Sequence, residues 1–339
     1  MQRRLATLAL VVAAGLGLAG SSAPAAGAEA ATLRVAKQFG LGYLQFVVMQ
    51  DRRLIEQHAK AAGLGDVTVE WATFRSSDVM NDALISGSVD FVSLGIPGIV
   101  TIWSKTRGTI DVKAASALNI APLYLNVRDP AIKSLADFKD NHRIALPAVK
   151  VAMQAILLEM AAAKVFGEAK FNALDHLTVS MAHPDATAAM LGGPSEVTAN
   201  FSSPPFQYRQ LKNPNIHVLL KSTDIVPGGV TFNVIAATTK FRGENPKLYG
   251  AFLAALRDAT DIINADKGAA AAVYLKVTGE KTPLAEINEV LADPDIVYTT
   301  KPVGIRPFVD FMAKTGALRG PPAQWTDMFL PEALAGAGN

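Results

Sequence analysis

Residues 83–97 read ALISGSVDFVSLGIP, and residues 189–205 read AMLGGPSEVTANFSSPP. Each stretch leaves an apolar, helix-like run, turns at a glycine, enters a short strand and ends in small polar residues before a proline. A helix that stops at glycine and hands over to a strand is one α/β unit. Its repetition predicts two α/β lobes, each presenting strand-end loops to one cleft. The turns differ: Gly87 to Val89 is two steps, whereas Gly193 to Val197 is four.

Outward from the first copy, residues 32–37 (TLRVAK) alternate as a strand, 44–63 form a helix closed by Gly63, and 67–71 form a second strand. Ser76, Ser77 and Asp78 open a helix over 79–86, and 89–93 is a third strand. This alternation predicts a parallel sheet, and ligands of open α/β sheets sit beyond the carboxyl ends of the strands. Ser93, Gly95 and Pro97 therefore stand at a candidate site.

Residues 114–127 (AASALNIAPLYLNV) form an apolar strand interrupted at 119–122, as a segment crossing between lobes would. Ser134-Leu-Ala-Asp137 is a capping-box start, 143–146 is a strand, and a helix follows Pro147 as far as Gly167. Residues 177–181, a helix from Asp185 and a strand over 197–201 then repeat the first lobe. Residues 230–237 (VTFNVIAA) read as the return crossing. Asn245-Pro246 opens a long helix to about Ala265, and the remainder is mainly helical, most clearly over 302–314. The expected division is 31–119 with 231–339 in lobe 1 and 120–230 in lobe 2.

A chain of 339 residues is long enough for roughly two domains. Residues 1–30 have the layout of a secretory signal peptide: Arg3 and Arg4, an apolar run, then Ala-x-Ala sites that place cleavage near Ala28–Ala30 and the mature start near Ala31. The run is too short and too rich in Ala and Gly for a membrane span of about 20 residues. Cysteine is absent, which excludes disulfides, thiolate metal sites, a Cys nucleophile and a lipidated anchor. The expectation is a free extracytoplasmic protein. Losing Arg3, Arg4 and Glu29 changes 32 Lys+Arg to 30 and 30 Asp+Glu to 29, so the net charge goes from +2 to +1. That balance offers nucleic acid or membrane no electrostatic footprint.

Several motif matches are idle. Gly15-Leu-Gly17-Leu-Ala-Gly20 fits GxGxxG but lies in the leader with no strand before it. Asn200-Phe-Ser202 fits a glycosylation sequon at a strand end. His58, His142, His176, His183 and His217 lack metal-ligand spacing and read as surface or hydrogen-bonded residues. Past residue 30 there is neither G-x-S-x-G nor a P-loop, so no nucleophile elbow or phosphate cradle supports an enzyme reading, and no cofactor or metal is expected.

Trp71-x-x-Phe74, Ser76, Met80-Asn81-x-Ala83-Leu84, Gly87-x-x-Asp90, Gly95-x-Pro97, Phe201-Ser-Ser-Pro-Pro-Phe-Gln207 and Asn213-Pro-x-Ile-His217 together resemble the nitrate/sulfonate/taurine group of ABC-transporter substrate-binding proteins. The resemblance spans nearly all of the mature chain. It implies a two-lobed, type II-like periplasmic binding protein fold, with two crossing strands as hinge, closing over a small solute and docking on an inner-membrane permease. It implies a monomer of the periplasm and places ligand contacts near Gln38 to Tyr43, Arg75 to Ser77, Ser93 to Pro97, Lys150 to Gln154, and the loop Ser202 to Phe206. Two departures stand out. Lys150-Val151-Ala152 lacks the hydroxyl usual at that helix start, and Thr198 replaces the acid at Asp90 beside the inserted Pro194-Ser-Glu196, a change expected to touch a surface turn only.

The residues leave alternatives open. Lys150 near a helix N-terminus either meets an anion or points to solvent, and Arg75 either clamps an oxyanion or is solvated. Ser93, Ser202 and Ser203 suit oxyanions or ordinary turns. Tyr43 and Phe206 wall a ligand or fill the core, and Asn119 bonds ligand or backbone. The expected ligand is a small anion of the sulfonate, taurine or nitrate type. The alternatives are a neutral or aromatic solute such as a thiamine pyrimidine precursor, or a periplasmic enzyme on the same scaffold.

Overall fold

Eleven strands form two mixed sheets in a computed structural model that describes residues 28–193 and 195–335. The leader, its GxGxxG match and Pro194 lie outside the described residues. In chain order the strands are β1 (Thr32–Lys37), β2 (Thr68–Thr73), β3 (Phe91–Gly95), β4 (Val112–Ile120), β5 (Tyr124–Val127) and β6 (Arg143–Leu146). There follow β7 (Thr178–Ser180), β8 (Val197–Phe201), β9 (His217–Lys221), β10 (Thr231–Thr238) and β11 (Val297–Tyr298). The first sheet runs β11-β4-β10-β3-β1-β2 and the second β7-β6-β8-β5-β9.

The repeat in the sequence is a repeat in the sheets. β2, β1 and β3 pair in parallel, as do β7, β6 and β8, and each trio is extended by one antiparallel strand, β10 on β3 and β5 on β8. Those added strands sit at the crossings: β5 follows β4 of the first sheet after three residues, and β10 follows β9 of the second. β3 is buried along its whole length, which suits a parallel strand covered on both faces.

The repeat also explains the exchange of Asp90 for Thr198. Asp90 is buried, accepts the Arg34 backbone N–H at 2.8 Å and forms an ion pair with the Arg34 guanidinium at 2.7 Å. In the second sheet the Thr198 Oγ1 accepts the Arg143 backbone N–H at the same 2.8 Å, while the Arg143 guanidinium turns to the carbonyls of Asp140 and His142. The substitution therefore keeps the bond between strands and removes a half-buried ion pair; it is not confined to a surface turn.

Local departures have tertiary causes. The single helix expected over 44–63 is two, Leu44–Arg52 and Leu54–Ala61, joined by Arg53 in the left-handed region at φ 52°. The break lets the second piece bury Leu54, Ile55 and Ala59 as the first buries Leu44 to Met49. Helix Pro246–Ala265 begins and ends where Asn245-Pro246 and Ala265 place it. Its N-terminus is held by Glu29, whose carboxylate accepts the backbone N–H groups of Lys247 at 3.1 Å and Leu248 at 2.8 Å. A carboxylate is favoured at that end of the helix dipole.

Helix Met153–Phe166 carries Glu159, which is buried and pushed up to about 7 from an ordinary 4.5, first by burial and then by Asp175 nearby, with Lys150 opposing. Between these values the folded state holds a proton that the unfolded chain has released, so the Glu159 contribution to stability falls as pH rises from about 4.5 to about 7 and is level above, while buried His183, lowered from 6.5 to about 4, contributes the opposite slope between those two values. Glu159→Gln is expected to remove the falling contribution, so that stability rises more steeply with pH between about 4.5 and 6.5, and to raise the urea midpoint at pH 8. A wild-type slope in the variant would assign the pH dependence elsewhere.

Candidate functional site

The carboxyl ends of β1 and β3 in one lobe meet those of β6 and β8 in the other: the Leu41 N–H bonds to the Pro204 carbonyl, and Gly95 abuts Met153. Helices Ser77–Ile85, Ile96–Thr106, Met153–Phe166 and His183–Leu191 all lack a side-chain cap at their N-termini. The cap residues of the last three are Gly95, Ala152 and Ala182, which have no oxygen to offer, and the Ser76 hydroxyl turns to Asp78 instead. The first backbone N–H groups of four helices, with the positive ends of their dipoles, are thus left for other acceptors.

Their first residues interlock. The Gln38 amide donates to Ser77 Oγ at 3.3 Å. A Cβ on Gly95 would lie 3.2 Å from the Met153 Cβ, so a side chain there would have to displace Met153 by a few tenths of an ångström for the lobes to meet as closely. Gln154 Nε2 lies 3.5 Å from His183 Nε2, and Ser202 Oγ lies 3.4 Å from His183 Nδ1. Phe206 stacks on the His183 ring at 5.6 Å with 17° between planes. Burial lowers the His183 pKa to about 4, which keeps the ring neutral. Gln38, Ser77, Ser93, Gln154, His183, Ser202 and Phe206 are all buried, and none carries a formal charge at neutral pH.

Unused polar atoms mark the floor of the cluster. Ser93 Oγ approaches the Tyr43 hydroxyl closely enough to oppose the rise that burial imposes on the Tyr43 pKa, but makes no well-formed hydrogen bond. Asn119 donates its amide to the Gly42 carbonyl while its Oδ1 has no partner. The Tyr43 hydroxyl reaches Asn233 Oδ1 on β10 at 3.4 Å. A buried polar atom without a partner costs about 1–3 kcal/mol, so such atoms call for an acceptor or donor from elsewhere.

Of the residues singled out in the sequence, Gln38, Tyr43, Ser93, Gly95, Asn119, Gln154, Ser202 and Phe206 are brought together here. Ser76 and Ser203 are buried beside them, the first bonded to Asp78 and the second passing its carbonyl to the Gln207 N–H at 3.2 Å. Arg75 and Lys150 are not in the cluster; both are exposed. Lys150 sits in a left-handed turn at φ 65°, before a helix that starts only at Met153, and its charge acts on Glu159 and Asp175. Asn200, the sequon residue, is fully buried and donates to the Ala145 carbonyl at 2.9 Å, so it presents no amide to a glycan.

Three residues of the site escaped the sequence reading: His183, Asn233 and Lys37. Lys37 ends β1 and lines a cavity of about 340 Å³ between the lobes, together with Gln38, Phe39, Val47, Thr73, Phe206, Arg209, Val277 and Glu280. Its ammonium donates to Thr73 Oγ1 at 3.3 Å and, among the described residues, meets no carboxylate. Burial lowers its pKa. Arg209 and Glu280, on opposite lobes, neutralise each other at 2.9 Å, and Glu280 also accepts the Tyr274 hydroxyl at 2.5 Å.

The rim of the lobes is tied by polar contacts. Lys212 pairs with Glu289 at 2.5 Å, Arg209 with Glu280, and the Tyr208 hydroxyl donates to Asp293. On the exposed rim each ion pair contributes only about 0–1 kcal/mol. The backbone bond from Leu41 N–H to the Pro204 carbonyl, at 3.0 Å, is the direct main-chain link across the cleft mouth.

No family model matches the sequence, and no curated protein matches it. Solved structures do match. The alkanesulfonate-binding protein SsuA from Xanthomonas axonopodis pv. citri, bound to MOPS, is 19% identical with a TM-score of 0.69, covering 91% of this chain and 99% of that one. The periplasmic aliphatic sulphonate binding protein SsuA from Escherichia coli is 21% identical with a TM-score of 0.63, covering 88% and 98%. The periplasmic nitrate-binding protein NrtA from Synechocystis PCC 6803 is 14% identical with a TM-score of 0.64, covering 88% and 84%. With two mixed α/β sheets facing one cleft, and near-complete overlap with these structures, the chain has the two-domain fold of the periplasmic binding proteins.

Proposed function

We propose that the protein is an exported receptor for a small anionic solute, which it captures by closing its lobes and hands to an ABC permease in the inner membrane. The observation that carries this reading is the meeting of four helix N-termini without side-chain caps around buried neutral donors. Unsatisfied N–H groups and aligned dipoles favour an anion without needing a buried cation. Contacts made to both lobes at once stabilise the closed state, which is the form a permease reads. The fold shared with sulfonate- and nitrate-binding proteins agrees with it by analogy. Cleavage after Ala28 on export would leave Glu29 as first residue and retain its cap on helix Pro246–Ala265. Intact mass of the secreted protein tests that, and a start at Ala31 would refute it.

The decisive experiment is a thermal-shift panel on the mature protein with nitrate, taurine, alkanesulfonates, carboxylates and neutral pyrimidines. A ligand at a hundredfold its Kd adds about 2.7 kcal/mol, a shift of several degrees. Saturable binding of one anionic class, with the solute recovered unchanged, supports the receptor. A shift with neutral pyrimidines alone favours a second reading, a neutral or aromatic solute, which the uncharged cluster around His183 supports.

A further inference from the structure

We infer that the solute is an organic monoanion with an apolar, ring-sized body, held by Lys37 in the cavity beside the buried cluster. The inference rests on the receptor reading and narrows it.

Size is the first argument. At about 340 Å³ the cavity falls in the range of about 300–1,000 Å³ typical of sites for small organic molecules. Nitrate or taurine fills only part of it, and loose filling forfeits the dispersion contacts of the walls.

The walls give the second. Thr73, Gln38 and Lys37 form one polar end, while Phe39, Val47, Phe206 and Val277 supply apolar surface. Phe39 is 37% exposed, a large apolar side chain at the cleft mouth that a bound ring would cover. Pockets of this kind are mostly apolar with a few placed polar groups that set orientation.

Charge is the third. Arg209 and Glu280 cancel, so the lining carries one net positive charge, that of Lys37. Its single hydrogen bond, to Thr73, leaves two donors of the ammonium free, and a partly desolvated cation gains most from an anion. A carboxylate and a sulfonate share this chemistry.

The test is calorimetric titration of the full mature protein with benzoate, benzenesulfonate, taurine, nitrate and the neutral isostere benzamide, repeated on Lys37→Met and Lys37→Arg. Benzoate or benzenesulfonate is expected to bind at least tenfold more tightly than taurine or nitrate, and at least thirtyfold more tightly than benzamide. Lys37→Met should lose at least thirtyfold for the ring anions while Lys37→Arg stays within about tenfold of wild type, a rescue that a folding defect would not show. Taurine or nitrate binding as tightly as the ring anions overturns this inference and leaves the receptor standing. Benzamide matching benzoate, or Lys37→Met matching wild type, removes Lys37 from recognition and overturns it as well. Saturable binding by none of the anions overturns both the inference and the receptor reading.

Discussion

Gly40→Ala is expected to weaken solute binding by about tenfold to a hundredfold while leaving each lobe folded. Gly40 has φ 107° and ψ 176°, a region essentially reserved for glycine, where any other residue costs about 1–3 kcal/mol. A Cβ there would lie 2.7 Å from the Pro204 carbonyl and 3.2 Å from the Phe206 ring, both on the opposite lobe. The added methyl therefore opposes closure more than it opposes folding, and each 1.4 kcal/mol taken from the closed state is about a tenfold loss of affinity. Calorimetric titration with the solute found in the panel measures the loss, and small-angle scattering at saturating solute should report a larger radius of gyration. Wild-type affinity in Gly40→Ala would mean that the lobes need not meet at this point.

The largest loss of stability is expected from Phe91→Ala, about 3–5 kcal/mol. Phe91 opens β3, is completely buried, and stacks on Phe252 with ring centroids 3.8 Å apart and planes within 6°. Phe241 meets its edge at 5.5 Å, and Tyr249 lies stacked at 5.8 Å. Truncation removes the centre of this aromatic group and leaves a cavity that three rings cannot close without leaving their rotamers. Denaturant titration should show the midpoint falling with an unchanged slope. Because β3 also positions Ser93 and Gly95, the variant should bind more weakly even where it remains folded. A loss below about 1 kcal/mol would show that the neighbouring rings refill the space.

Much of the fold was legible because it is written in local patterns. β1, β6 and β8 occupy the residues that alternation and turn glycines assigned to them. Ser134 and Asp137 form the capping box that their spacing announced. Other elements carried weak local signals. Helix Ile96–Thr106 shows its polar stripe, Thr101, Ser104 and Lys105, only in its second half, and its start is merged with the end of β3. The half-buried β9 pairs with β5 at the edge of its sheet and lacks a clear inside and outside. Arg53 breaks a helix that periodicity alone would continue.

The sequence by itself determined the two α/β units, the strand ends that become the cleft, and most of the neutral groups that line it. Periodicity, caps and turn glycines are properties of a few consecutive residues, and they survive whatever the rest of the chain does. Which charged groups face the cleft was decided only by the tertiary structure. Arg75 and Lys150 have the right chemistry at the right helix starts yet stay exposed and outside the buried cluster, whereas Lys37, in an ordinary strand, lines the cavity with no ion-pair partner among the described residues. His183 likewise acquires its neutrality and its place between Gln154 and Ser202 from burial by segments far apart in the chain. Desolvation and pairing depend on neighbours brought together by packing, and a single line of sequence does not carry those neighbours.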